Sequence, residues 1–236
     1  MSVNEGFFPK EEPAEEPWPE QAVLAFTRRE LAILKALRGP GRELNLIFGL
    51  TQLISWPDWL LAGPILGAPQ AVMVMEYLRL KGVRTFLSLG LCGSIQPDLS
   101  IGQIVLPQAA LSEEGTSAHY LLEDEFASAD PDLSRQLAEH LADQGLNYRT
   151  GRVWTTDAPY RETRDKVQRY SAQGILAVDM EASALMTAAR FHGLTFAGLM
   201  IVSDELRLDE HFLGFNSPKL TQGLTDAAKI IIRTLQ

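Results

Sequence analysis

The chain has 236 residues, 46 % hydrophobic and 22 % charged, a globular balance that excludes disordered and fibrous classes. Its net charge of −9 argues against nucleic acid as a partner, because phosphate backbones call for a basic face. A single cysteine excludes a disulfide framework or multi-cysteine zinc site, and no run approaches the roughly 20 apolar residues of a membrane-spanning helix.

The start, Met1-Ser2-Val3-Asn4-Glu5, lacks the basic-then-apolar pattern of a secretory signal, and a reducing, cytoplasmic compartment is expected. Residues 1–20 carry six Glu, one Lys and four Pro, with Phe7, Phe8 and Trp18 between them. Like charges repel and proline supplies no backbone donor, so this segment reads as an extended arm, pinned by its aromatics or frayed. Residues 21–236 read as one domain.

Strand and helix patterns alternate from there. A short apolar strand is expected over 22–26. A helix over 28–37 carries Leu31, Leu34 and Leu37 at helical spacing and ends at Gly39-Pro40. Strand patterns follow at 44–48 and 83–89, separated by a turn at 56–59 and a helix over 68–80. Gly90 and Gly93 are expected to break the second of these strands. Further strands are expected over 101–106, 149–154, 175–178 and 194–202. Helices are expected over 131–144, 181–191 and 219–235, the first opening on Pro131 and followed by Gly145. The alternation predicts an α/β fold with a largely parallel, buried sheet, and active sites in such sheets lie at the carboxyl ends of strands.

Four strand ends carry chemistry-bearing residues. Leu87 to Ser94 runs an apolar strand into two glycines, which permits close approach of a ligand or simply a strand-to-helix turn. Trp154 to Glu162 gathers hydroxyls, a carboxylate, an aromatic and a guanidinium; these suit a planar polar ligand or a helix cap equally well. At Val178-Asp179-Met180-Glu181 a thioether could pack on a sugar ring and a carboxylate could accept from vicinal hydroxyls, or Glu181 could merely complement a helix dipole. Asp204 emerges from nine largely apolar residues, where a partly buried carboxyl can donate a proton or cap a turn. His119, His140, His192 and His211 stand at no ligand spacing, so no metal site is expected; His119 reads as a rim or surface residue, and His211 falls in a segment that could cover a pocket.

Together these segments resemble the nucleoside phosphorylase and nucleosidase superfamily, across residues 22–235. The resemblance rests on Gly82-Val83-Arg84-Thr85-Phe86-Leu87, Gly90, Gly93-Ser94-Ile95-Gln96-Pro97 and Ile101-Gly102-Gln103-Ile104-Val105. Glu114-Gly115-Thr116-Ser117, Val178-Asp179-Met180-Glu181-Ala182 and Val202-Ser203-Asp204 complete it. The first half is most similar to uridine phosphorylase, the Ser203-Asp204 pair to the purine enzymes. The resemblance implies a three-layer α/β fold with a central mixed, largely parallel twisted sheet flanked by helices. It also implies cleavage of the bond between a base and a ribose, through an oxocarbenium-like transition state.

Residue by residue, it implies that Glu181 holds the ribose hydroxyls and Met180 packs on the sugar. Asp204 would serve N7 of a purine-type base, and Cys92, Gly93, Tyr160, Arg161 and Val178 would line the base pocket. The acceptor side departs from the family pattern. Ser88 stands where an arginine is expected, Leu91 replaces a hydroxyl residue, and Thr27-Arg28-Arg29-Glu30 replaces the Gly-Asp-Pro loop. The resemblance leaves Arg28, Ser88 and Gly90, with Arg42 from a neighbouring subunit, as the phosphate or water site. The expected reaction is phosphorolysis to free base and ribose 1-phosphate, with inorganic phosphate as co-substrate and no other cofactor. Hydrolysis through Glu30 and a non-catalytic nucleoside or nucleobase binder are the alternatives. A homo-oligomer is expected, as a dimer, trimer of dimers or hexamer.

Overall fold

A computed structural model describes residues 18–47, 49–120 and 126–236, so Phe7 and Phe8 of the acidic arm lie outside the described residues. Trp18 lies edge-on to Tyr77 with ring centroids 6.3 Å apart, and Lys81 sits over both rings.

The chain order is β1 (Gln21–Ala25), α1 (Arg28–Arg38), β2 (Arg42–Ile47), β3 (Thr51–Ser55), β4 (Leu60–Gly63), α2 (Gly67–Leu80), β5 (Thr85–Ser94) and β6 (Ile104–Glu113). It continues with β7 (Phe126–Ser128), α3 (Pro131–Asp143), β8 (Tyr148–Thr156), α4 (Arg164–Ala172), β9 (Ala177–Asp179), α5 (Ala182–His192), β10 (Thr195–Leu206), β11 (His211–Leu213) and α6 (Pro218–Thr234). Local chemistry fixes the helix ends. Thr27 and Glu30 form a reciprocal capping box on α1, Asp130 caps α3 ahead of Pro131, and Gly193 closes α5 in the left-handed conformation.

The strands form one mixed sheet in the order β11-β10-β6-β8-β9-β5-β1-β4-β3-β2, and an additional β10–β5 ladder closes five of them into a ring. Parallel ladders join β10, β5, β1 and β4, and again β6, β8 and β9. Antiparallel pairing joins the two parallel sets at β10–β6 and β5–β9 and builds the hairpins at the margins. Apolar side chains of α2 and α5 fill one face of the sheet; those of α1, α3 and α6 fill the other. Among the described residues no helix is long and apolar enough to cross a membrane.

The strand expected to stop at Gly90 instead runs on to Ser94. Both glycines serve close packing within it. A Cβ at Gly90 would stand 2.4 Å from the Phe26 ring, and one at Gly93 would stand 2.5 Å from Leu206. The strand expected from Ile101 starts at Ile104, because the Gly102 N–H turns back to the Val202 carbonyl. β3, β4, β7, β11 and α4 had no clear sequence signal: the strands have three to five residues, too few to show a period. The turn at 56–59 forms as expected, with the Trp56 N–H donating to the Trp59 carbonyl and the rings 4.7 Å apart.

Helix α6 meets the sheet through backbone. A Cβ at Gly223 would stand 2.3 Å from the Gly102 carbonyl oxygen and 2.9 Å from Ile201. Gly223→Ala should therefore lower stability by about 1–3 kcal/mol through overpacking. Urea unfolding would show the midpoint fall; an unchanged midpoint would mean that α6 and the Gly102 turn separate freely.

Candidate active site

Strand β5 changes partners along one edge. Thr85–Leu89 pairs with β1, whereas Gly93 and Ser94 pair with β9. Residues 90–92 lie between the two ladders, so β1 and β9 diverge there and leave a crevice at the carboxyl end of β1. Ligands bind at such switch points in α/β sheets. The crevice holds about 500 Å³ and is floored by Leu91, Cys92 and Gly93 of β5. Phe26 and Thr27 follow β1 into its wall; Val178 to Glu181 and Ser203 to Leu206 close the other sides.

A bulge places Asp204. Val202 pairs with Cys92 and Asp204 with Gly93, so Ser203 is an extra residue that shifts the alternation at the end of β10. The Ser203 hydroxyl lies 2.6 Å from Asp204 Oδ1 and 3.2 Å from the Cys92 carbonyl. Asp204 Oδ2 lies 2.6 Å from His211 Nε2. Gly93 leaves room beside that oxygen, where a Cβ would approach to 3.1 Å. The Cys92 thiol lines the crevice, and burial followed by the charges of Asp179 and Asp204 raises its pKa well above the usual value.

Glu181 is the N-cap residue of α5, one position before the helix expected to include it, and its side chain makes no cap bond. Asp179 caps the helix instead: its Oδ2 accepts from the Glu181 and Ala182 N–H groups at 3.0 and 2.7 Å, and its Oδ1 accepts from Thr155 at 2.6 Å. Glu181 is thus left to face the crevice, with Oε1 accepting from the Gly67 N–H at 2.6 Å. Burial, then the Asp179 charge, raises the Glu181 pKa. Met180 lines the same wall, half-buried.

Tyr160 borders the mouth with its ring fully in solvent, and Arg161 points away into water. The base-facing role expected of Arg161 is not met in this geometry, because the turn Pro159–Arg161 directs it outward. Glu162 lines the crevice in its place. Burial and the nearby Asp204 charge push Glu162 up to about 7, against the pull of Lys166. Sequence reasoning missed Glu162; only its place at the end of the Trp154–Glu162 segment pointed to it.

The expected acceptor cluster does not assemble within the chain. Arg28 is exposed at the start of α1, and Arg42 is exposed on β2. Ser88 is buried with its hydroxyl against Gly198, and Gly90 abuts Phe26. Arg29 donates to the Phe215 carbonyl at 2.6 Å and to Thr221. Among the described residues no Arg or Lys lines the crevice. Glu30, buried behind Thr27, receives the Thr27 N–H and hydroxyl on Oε2, while its Oε1 has no hydrogen-bond partner. Burial raises the Glu30 pKa, and the Glu30 charge in turn raises that of Glu181. No cluster of His, Cys, Asp and Glu suited to a metal occurs among the described residues.

The model of the phosphorylase superfamily matches residues 39–236. The chain is 31 % identical over 146 residues to a DeoD-type purine nucleoside phosphorylase of Bacillus cereus, spanning 61 % of this chain and 62 % of the relative. It is 33 % identical over 141 residues to a guanosine phosphorylase of Halorubrum lacusprofundi, spanning 60 % of this chain and 58 % of the relative. A solved uridine phosphorylase from Vibrio fischeri ES114 superposes with a TM-score of 0.79 at 21 % identity, over 93 % of this chain and 92 % of that one.

The raised pKa of Glu162 gives stability a sign. Its folded value lies above the ordinary 4.5, so its contribution is complete below that value and is lost as pH rises through about 7. Between about pH 5 and pH 8, Glu162→Gln should lose less stability than the wild type. Melting temperatures across that range test this; parallel curves would remove Glu162 as the source.

Proposed function

The chain belongs to the phosphorylase superfamily, and from that premise we propose that it cleaves the N-glycosidic bond of a purine-type nucleoside and releases the free base. One observation carries the reading: the bulge at Ser203 and the Asp179 cap bring Asp204 and Glu181 to a single crevice that Met180 also lines. The ribose hydroxyls donate to Glu181, whose buried carboxylate gains the donors that Gly67 alone does not supply. Met180 packs on the sugar, and Val178, Cys92 and Gly93 bound the base. Asp204 gives a proton to the ring nitrogen that takes up the electrons of the broken bond.

Inorganic phosphate is the proposed acceptor, giving ribose 1-phosphate; the names of the similar relatives support it. Its cations come from outside the crevice of one chain, and the exposed Arg42, presented by a neighbouring copy in a homo-oligomer, is the candidate. We place the enzyme in the cytoplasm, with residues 21–236 as its catalytic domain and residues 1–20 as an arm. A second reading, hydrolysis, is favoured by the cation-free wall; Glu30, the group it would use, lies buried behind Thr27 with Oε1 unpartnered and does not itself line the crevice.

A panel of nucleosides assayed for free base, with and without phosphate, tests both readings. Phosphate-dependent release supports phosphorolysis, phosphate-independent release supports hydrolysis, and binding without release leaves only a binder. Asp204→Asn should bind nucleoside but slow base release by about 10²- to 10⁴-fold; an undiminished rate would remove Asp204 from the chemistry. Glu181→Gln should weaken nucleoside binding and spare free base, by calorimetry; equal loss for both would contradict the sugar role. Arg42→Ala should raise the KM for phosphate, and a fully active monomer in light scattering would rule out donation from a neighbour.

A further inference from the structure

We infer that His211 supplies Asp204 with the proton that Asp204 gives to the leaving base, an inference that rests on the glycosidic-bond cleavage proposed above. The two side chains are in direct contact, Nε2 to Oδ2, at 2.6 Å. Their exposures differ in the sense a proton route needs: the His211 side chain is 51 % exposed and that of Asp204 is 14 % exposed. Both side chains line the crevice, and the His211 end of the pair is the one more open to water.

The hairpin that carries His211 fixes this geometry. β11 pairs antiparallel with the end of β10, setting His211 opposite Leu206, and Arg207 donates its N–H to the Glu210 carbonyl across the turn. From that position the imidazole reaches back along β10 to Asp204. The nearest arginine in sequence is occupied elsewhere: Arg207 bonds Glu205 Oε2 at 2.5 Å and the Gln96 carbonyl. Lys166 is paired with Glu113 at 2.8 Å. The groups facing Asp204 from other elements are the Cys92 thiol of β5 and Glu162, and neither brings positive charge. Among the described residues, His211 is therefore the basic side chain in hydrogen-bond contact with Asp204.

The step balances as follows. The bond from the sugar carbon C1′ to the base nitrogen N9 breaks, and its electron pair passes into the base. N7 takes the proton of the Asp204 carboxyl, and C1′ is captured by the acceptor oxygen. Asp204 then takes the Nε2 proton of imidazolium, and the neutral imidazole regains a proton from water. His211 acts through Asp204 and so is a positioning and proton-supplying residue.

The test compares two substrates in one enzyme. Inosine needs a proton at N7 to leave; 7-methylinosine already carries positive charge there and needs none. His211→Ala should lower kcat on inosine at least tenfold, with KM changed little, while kcat on 7-methylinosine stays within about threefold. Imidazole in the buffer should restore part of the inosine rate. His211→Gln can keep a hydrogen bond to Oδ2 but carries no titratable proton, so it should be as slow on inosine as His211→Ala. Equal loss on both substrates, no loss on inosine, or a wild-type rate in His211→Gln would overturn the inference. A wild-type enzyme that releases no base from any purine nucleoside would instead overturn the function beneath it.

Discussion

The structure depends on the change of partner along β5. One edge of this strand must hold β1 in parallel and, after three intervening residues, β9 antiparallel. Two incoming strands of opposite direction cannot share the intervening residues, so a gap opens there. Everything that could bind a small polar ligand is then delivered to that gap by the ends of β1, β9 and β10. The glycines of β5 belong to the same constraint: Phe26 lies on Gly90, and Leu206 lies on Gly93. At both positions a side chain closes on bare backbone beside the crevice.

The second feature is an interior rich in carboxyl groups and poor in cations. Glu30, Glu114, Asp179 and Glu181 are all buried. Glu114 is settled by four donors, the hydroxyls of Ser112 and Ser183 and the N–H groups of Thr116 and Ser117, which hold its pKa below the ordinary value despite burial. Asp179 is satisfied by Thr155 and the start of α5. Glu181 has one backbone donor and a raised pKa. Burying a carboxylate without donors is costly. Of these four, Asp179 and Glu181 line the crevice, the first held by three donors and the second by the Gly67 N–H.

Much of this was legible in the sequence. Long amphipathic helices such as α1, α3 and α6, and the apolar run of β10, announce themselves by period and by caps. Asp179 and Asp204 stand out as carboxyls at the ends of apolar strands, a pattern that marks a strand tip, whereas Met180 and Glu181 stand out through the family resemblance. What was not legible depended on one-residue geometry. The bulge at Ser203 leaves no pattern, yet it decides where Asp204 points. The direction of the 159–161 turn, which turns Arg161 outward and leaves Glu162 at the crevice, is equally silent in the sequence. The contact between His211 and Asp204 requires a three-residue strand too short to show a period.

The acceptor side shows why a motif cannot be replaced by composition alone. A helix N-terminus is a natural anion site, because its first N–H groups lack partners and its dipole is positive. At α1 the capping box takes up several of those groups: Thr27 accepts from the Arg29 N–H, and Glu30 accepts from the Thr27 N–H at 2.9 Å. The chain's own carboxylate sits where an incoming phosphate would find its donors. Two adjacent arginines, Arg28 and Arg29, do not change this, since one is exposed and the other is bound to the Phe215 carbonyl. The superfamily match begins at residue 39, beyond this helix, whereas Glu181 and Asp204 lie within it. The two sides of the crevice thus answer to separate demands: the tips of β9 and β10 bring Glu181 and Asp204 to it, and the β1–α1 turn builds the wall lined by Phe26 and Thr27.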